Sequence, residues 1–446
     1  MKKSFYSALL LFLFATTVKG EQYHIQAGAA TVNITPPVGI WQVGWLAREK
    51  PSESIADEIY AKALVLSDGQ TRVAIITMDL LKTHQSMVDS LRNDIYTRTG
   101  IKQDHILITA SHTHFAPRCQ INATGPYEKA YALTVLGKIA GAVQTANSNM
   151  QDAWVGAVKG HAPEYTFNRR VVKEDGTVFN SWRYPKDTTG LTFGPIDPDV
   201  GVFVIDNRYD QSIARIINYA THPVCGMNEM YAISADFPRY ATDVIEKIEG
   251  GICMFALGTA GNQVPVEREG YSRYQIGRGI GAEALKALQR KKVYANFPIG
   301  VITQKIRMAT KKNTFVKGDS VDVEIQVMAI GDIVIVGLPG EVMVELGLEL
   351  KAKSGLENVF IFELSNGGNV GYILSEQDYA DGGYEALNGA LGPGSGEMIV
   401  NTALQLIQKL KPVTSAAKTE KPAAVNSSFE SFSQKGYDIK KKQLQE

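Results

Sequence analysis

The stretch Ile106-Leu-Ile-Thr-Ala-Ser-His-Thr-His-Phe-Ala-Pro117 places two histidines directly behind an apolar run. A short run of Ile, Leu and Thr closed by polar residues and Pro predicts a buried strand, and in extended backbone residues i and i+2 face the same way. His112 and His114 are therefore expected to converge on one point. Only seven histidines occur in the 446 residues, and neutral imidazole is the usual nitrogen ligand for zinc. The competing reading makes the two rings structural, capping turns or bonded within the core.

Outward from this stretch, runs at 73–77, 105–109, 200–205, 213–219, 252–257, 333–338 and 359–364 predict buried strands. Between them the patterns at 85–99, 129–146, 240–249, 276–290 and 341–353 predict helices. Strands alternating with helices of this length imply an α/β fold: one large layered domain of mixed β-sheets flanked by helices. A hydrophobic content of 44% over this length supports a single large core.

Other chemistry-bearing residues also follow strands. His222 in Asn218-Tyr-Ala-Thr-His-Pro-Val-Cys225 stands behind an apolar run, and Ile333-Val-Ile-Val-Gly-Leu-Pro-Gly-Glu341 delivers a carboxylate through a Pro-Gly turn at the start of a predicted helix. Glu341 could equally be a helix-start charge favoured by the macrodipole. Asn369-Val-Gly-Tyr-Ile-Leu follows the last strand, and Tyr384-Glu-Ala comes twelve residues after Tyr372.

Lys plus Arg and Asp plus Glu balance at 46 each, so no net field recruits nucleic acid. Lys2, Lys3, the apolar run 8–15 and the small residues before Glu21 read as a cleavable signal peptide over 1–20, which implies a secreted or periplasmic protein without a transmembrane anchor. The main domain is expected over 21–412, with a surface excursion at 173–198 carrying Trp182 and Tyr184 and a disordered polar tail over 413–446. Cys253 is expected in the core. Cys119 and Cys225 follow two histidines of one candidate site, which leaves two readings: near neighbours able to form a disulfide, or two unrelated free thiols.

Taken in order, His-Thr-His, strand-His, Pro-Gly-Glu and the Gly-Tyr-Ile block ending in Tyr-Glu-Ala resemble the catalytic domain of the neutral ceramidases. Ala27-Gly-Ala-Ala-Thr-Val-Asn-Ile-Thr-Pro-Pro37, Ile59-Tyr-Ala-Lys-Ala63 and Met78-Asp79 fall where that family has similar elements, so the likeness spans roughly residues 25 to 410. The resemblance implies zinc on His112, His222, Glu341 and Tyr372. It makes His114 a neighbouring acid/base residue, where spacing alone would make both histidines ligands. It also implies a substrate-positioning Arg169, in Phe167-Asn-Arg-Arg170, and a Tyr384 facing the reacting carbonyl.

Two departures stand out. In Phe255-Ala-Leu-Gly-Thr-Ala-Gly-Asn-Gln-Val-Pro265, Gly258 stands where the family has a catalytic serine, Thr259 is the nearest hydroxyl, and both are carried as substrate-binding positions. No immunoglobulin-like C-terminal domain follows. The resemblance implies zinc-activated water attacking an acyl amide of a small or lipid-like substrate. The alternatives are an acyl ester, an N-acyl sugar or a glycan linkage, or a non-catalytic protein stabilised by its metal.

Overall fold

The structure is a computed structural model that describes residues 23–421 apart from 313 and 369. The expected leader over 1–20 lies outside the described residues, as does Asn369. Four layers build the molecule: helices, a ten-stranded sheet, a four-stranded sheet and helices again. Strict alternation along single strands generates this layering. In Tyr60–Ser67, Ala61, Ala63 and Val65 face the outer helices while Leu64 and Leu66 face the second sheet. The adjoining Arg72–Met78 repeats the pattern, with Ala74, Ile76 and Met78 outward and Val73 and Ile75 inward. Both faces are apolar because both are covered, as a period of two demands.

Helices Gln85–Thr99 and Pro126–Ser148 cover one half of the large sheet, and Phe237–Glu249 and Ser272–Leu288 the other. The small sheet, Ile299–Ala309, Ser320–Ile330, Ile333–Gly337 and Asn358–Phe362, packs its outer face on Val344–Ser354 and Ser395–Lys409. Between the sheets lie Phe203, Met254, Met328, Ile335, Phe360 and Phe362. Strands Ile106–Ala110, Ser212–Tyr219, Ile252–Leu257, Ile333–Gly337 and Asn358–Phe362 all enter parallel pairs. Their carboxyl ends lead into the segments that carry the candidate site, the usual place for one in such sheets.

Three expectations are corrected. Glu341 does not begin a helix: it sits in a two-residue strand, Glu341–Val342, paired with Tyr372–Ile373, and the helix begins at Val344. The polar tail does not start at 413. Helix Lys411–Thr414 and strand Thr419–Glu420 continue the fold, the strand pairing with Val293–Ala295. Charge anchors this segment where apolar residues are few: Lys418 bonds Asp332 at 2.6 Å and Lys421 bonds Asp210 at 2.6 Å. Residues 422–446 lie outside the described residues. Third, the pairing of Cys119 with Cys225 gives way to the alternative reading: they are free thiols in different core clusters, each enclosed by its own packing. Burial pushes both Cys119 and Cys253 up to about 12, and Cys253 lies in the core as expected. The excursion at 173–198 is held by a three-stranded sheet, Arg170–Lys173 between Val178–Asn180 and Leu191–Phe193.

An ion pair ties the layers together at one edge. Arg92 donates to Glu324 through two nitrogens at 3.0 and 2.8 Å, and to the Ile106 carbonyl at 3.1 and 2.8 Å. Because both side chains are buried, Glu324→Leu should lower unfolding free energy by about 3 kcal/mol by leaving a guanidinium uncompensated. Adding Arg92→Met should recover part of that loss. Thermal or urea unfolding of both variants checks this, and a double variant less stable than the single one would contradict it.

Candidate metal centre

His112, His114, His222 and Glu341 meet at the carboxyl ends of strands from both sheets, and the route by which the first two converge differs from the sequence expectation. His112 has φ of +68°, a left-handed conformation that side chains rarely adopt. Its N–H bonds the Leu80 carbonyl at 2.9 Å, while the His114 N–H bonds Pro223 at 3.1 Å. A kink, rather than extended alternation, brings the rings together. Strain of this kind is found where the surroundings impose it, commonly at functional sites.

Each ring is fixed from behind. The Nδ1 atoms of His112, His114 and His222 lie 2.7, 3.0 and 3.3 Å from the carbonyls of Leu81, Gly44 and Gln263. A carbonyl only accepts, so each Nδ1 carries the hydrogen and each Nε2 presents a lone pair. His112 Nε2 lies 3.3 Å from His114 Nε2, and Glu341 Oε2 lies 3.3 Å from the Nε2 of both His112 and His222. The three imidazoles can offer ligand atoms within 4.8 Å of one another. Lone pairs facing a carboxylate at these separations repel unless a cation lies among them. Imidazoles with one carboxylate suit zinc, so the residues present fit the metal.

The electrostatics agree. Burial holds His222 down at about 4 and His114 well below its ordinary value, so both rings are neutral. Tyr372 is the parallel-strand partner of Glu341, which sets the two side chains together. Burial and the Glu341 charge push its phenol well above 10.

A second group forms the wall beside Tyr372. Arg169 donates through Nε to Glu385 at 2.7 Å and through Nη2 to the Gly261 carbonyl at 2.8 Å. Its guanidinium lies over the rings of Trp182, Tyr372 and Tyr384 at 5.1, 5.4 and 5.5 Å. Tyr384 is 38% exposed and meets Trp182 edge to face at 4.9 Å, so the excursion at 173–198 delivers an aromatic side to the site.

Gly258 and Thr259 do not join this constellation by any contact among the described residues. Gly258 backs onto Ala220, and a Cβ on Gly347 would lie 2.0 Å from the Thr259 hydroxyl, which is therefore turned into helix Val344–Ser354. The residues that follow them do join it. Gly261 accepts from Arg169, the Asn262 carbonyl accepts from the Arg169 N–H at 2.8 Å, and Gln263 accepts from the His222 N–H at 3.0 Å.

Sequence reasoning also missed the supports. Gly44, at φ +103°, lets its loop lie on His114, where a Cβ would come within 2.8 Å of the ring. Glu363 is wholly buried and accepts the N–H groups of Val342 at 2.8 Å and Ala260 at 3.2 Å, tying the Glu341 strand to the Arg169 loop. Neither is marked by spacing. Glu385 was visible as the residue after Tyr384, but its role was not.

The family model described as "Neutral/alkaline non-lysosomal ceramidase, N-terminal" matches residues 23–256, more than half of the chain. The fold is similar to that of neutral ceramidase from Pseudomonas aeruginosa, with TM-score 0.71 and 15% identity over 90% of this chain and 77% of that one. A ceramidase complexed with C2 gives TM-score 0.71 and 14% identity, over 91% and 78%.

Glu385 is fully buried and also accepts from Arg170 at 3.2 Å and Asn180 at 2.7 Å. Glu385→Gln takes the carboxylate from buried Arg169, while Arg170 keeps Asp378 at 3.5 Å, and should cost about 3 kcal/mol of stability, as other broken buried pairs do. Thermal unfolding checks this, and an unchanged melting temperature would refute the pairing.

Proposed function

The chain belongs to the neutral/alkaline non-lysosomal ceramidase family, and on that premise we propose that it is an exported, zinc-dependent hydrolase of an acyl amide. The observation that carries the proposal is the convergence of three Nε2 lone pairs, each ring backed by a backbone carbonyl, with one carboxylate. His112, His222, Glu341 and Tyr372 would hold the zinc. When bound, zinc supplies a Lewis acid and lowers the pKa of water from about 15.7 to near 7.

The chain's own residues supply the rest. Arg169, kept charged against burial by Tyr372 and Glu385, and the partly exposed Tyr384 would face an acyl carbonyl and stabilise its developing negative charge. His114 is neutral and tethered at Nδ1, so its Nε2 can take a proton and pass it to the leaving amine. With water as nucleophile, Gly258 in place of a serine does not remove the reaction.

A cavity of about 570 Å³ reaches Gly383, the residue before Tyr384, and is lined by Tyr379, Ala380, Ala386 and Leu387 together with the charged Lys311 and Glu376. It suits the apolar part of an amphipathic acyl substrate. No helix among the described residues is long and apolar enough to cross a membrane. A second reading draws on the closeness of His114 Nε2 to His112 Nε2, which favours His114 as a third histidine ligand in place of Tyr372.

Metal analysis of purified variants separates the two. Glu341→Gln should lose most of its zinc, Tyr372→Phe part of it, and His114→Ala little while losing activity. Full zinc in Glu341→Gln would refute the ligand set, and loss of zinc in His114→Ala would establish the second reading. On a panel of N-acyl amides and esters, Tyr384→Phe should lower kcat about 10²-fold with zinc retained. Hydrolysis of esters alone, or of nothing by the zinc-loaded protein, would refute the amide assignment.

A further inference from the structure

Seven arginines are buried, and six of them are compensated by the protein. Arg92 pairs with Glu324, Arg169 and Arg170 with Glu385, Arg215 with Asp206 and Arg273 with Glu229, while Arg48 donates to three backbone carbonyls. Arg268 is the exception. It is 5% exposed, its Nε and Nη2 are sealed from solvent without a hydrogen-bond partner, and no carboxylate among the described residues pairs with it. Leaving one charge buried and unpaired is strongly destabilising.

Its position is fixed and close to the candidate metal centre. The Arg268 carbonyl accepts from Gly226 at 2.8 Å and Met227 at 3.1 Å, on the segment that follows His222. Its N–H bonds Glu267 at 2.7 Å. Three residues upstream ends the strand Gln263–Pro265, which pairs with Thr166–Asn168 and so leads to Arg169. Arg169, Arg183 and Tyr372 lie close enough for their charges to act on Arg268, and burial with the two arginines brings it to about 10, still cationic at neutral pH. Arg169 and Arg183 have their own carboxylates, Glu385 and Glu269. The uncompensated positive charge beside the centre is therefore that of Arg268.

We propose that Arg268 is the receptor for an anionic group of the substrate, a carboxylate, sulfonate or phosphate carried near the scissile bond. The word substrate rests on the hydrolase reading above; the anion site does not. A planar guanidinium with free donors matches such oxyanions geometrically and is less strongly hydrated than an ammonium. A neutral N-acyl substrate leaves this charge unpaired, so the site discriminates against it.

Two measurements on the zinc-loaded chain test this. In the first, matched N-acyl substrates ending in a carboxylate, a sulfonate, a phosphate monoester or the neutral methyl ester are compared for wild type and Arg268→Met. Wild type should favour at least one anionic form by about tenfold or more in kcat/KM, mainly through KM, and the ratio should fall to near one in the variant. In the second, melting is followed in sulfate, phosphate and chloride at equal ionic strength. Sulfate or phosphate should raise the wild-type melting temperature and leave that of Arg268→Met unmoved, and the variant without added anion should melt no lower than wild type.

Equal stabilisation of both proteins, or a variant that melts several degrees lower, would overturn the anion site. Stabilisation confined to wild type without any substrate preference would overturn the assignment to the substrate and leave a site for a free anion. Should no acyl compound be hydrolysed while the anion effect persists, the hydrolase reading fails and the arginine site stands.

Discussion

Everything at this site depends on one electrostatic constraint: three imidazole nitrogens and a carboxylate oxygen are aimed at a common point with no proton to share among them. The constraint is imposed from outside the cluster. Three backbone carbonyls hold the far sides of the rings, and those carbonyls come from three separate segments of the chain. Bringing like partial charges this close is unfavourable alone, so the backbone partners behind the rings are needed to keep them aimed at one point. The left-handed His112 and the side-chain-free approach of Gly44 are two visible marks of that constraint.

The second group has the opposite design. Around Tyr384 the charges are positive and are neutralised by carboxylates set behind them, so that Glu385 serves two arginines at once. Glu363 has no cation and works through backbone N–H groups, joining the strand of Glu341 to the loop on which Arg169 rests. The histidine–Glu341 cluster and the group around Arg169 are thus one unit mechanically, although they are supplied by distant parts of the chain.

How far this was legible in the sequence follows from the range of each interaction. Strand and helix positions came through because apolar periodicity is local, and helix Gln85–Thr99 appears with its expected bounds. His112, His222 and Glu341 were legible as candidates because each follows an apolar strand. Their true backbone conformations were not, since the kink at His112 and the strand at Glu341 are set by neighbours remote in sequence, Leu80 and Gly371. The tail was misjudged for a related reason: composition shows the scarcity of apolar residues but not that Lys418 and Lys421 find carboxylates. Arg268 could not be found at all, because its significance is the absence of a partner, which only the packed structure reveals.

The four-layer arrangement has a consequence for how the chain can be made. All three histidines precede residue 257, whereas the small sheet and Glu341 come after residue 298. Until that sheet arrives, Leu64, Ile75, Phe203 and Met254 have nothing to cover them. The first part of the chain is therefore not an autonomous unit that later acquires an active site: it is an amphipathic half-structure, open on one face to association with other unfinished chains. The second sheet both closes that face and carries the carboxylate, so the site is complete only once the two sheets have packed together.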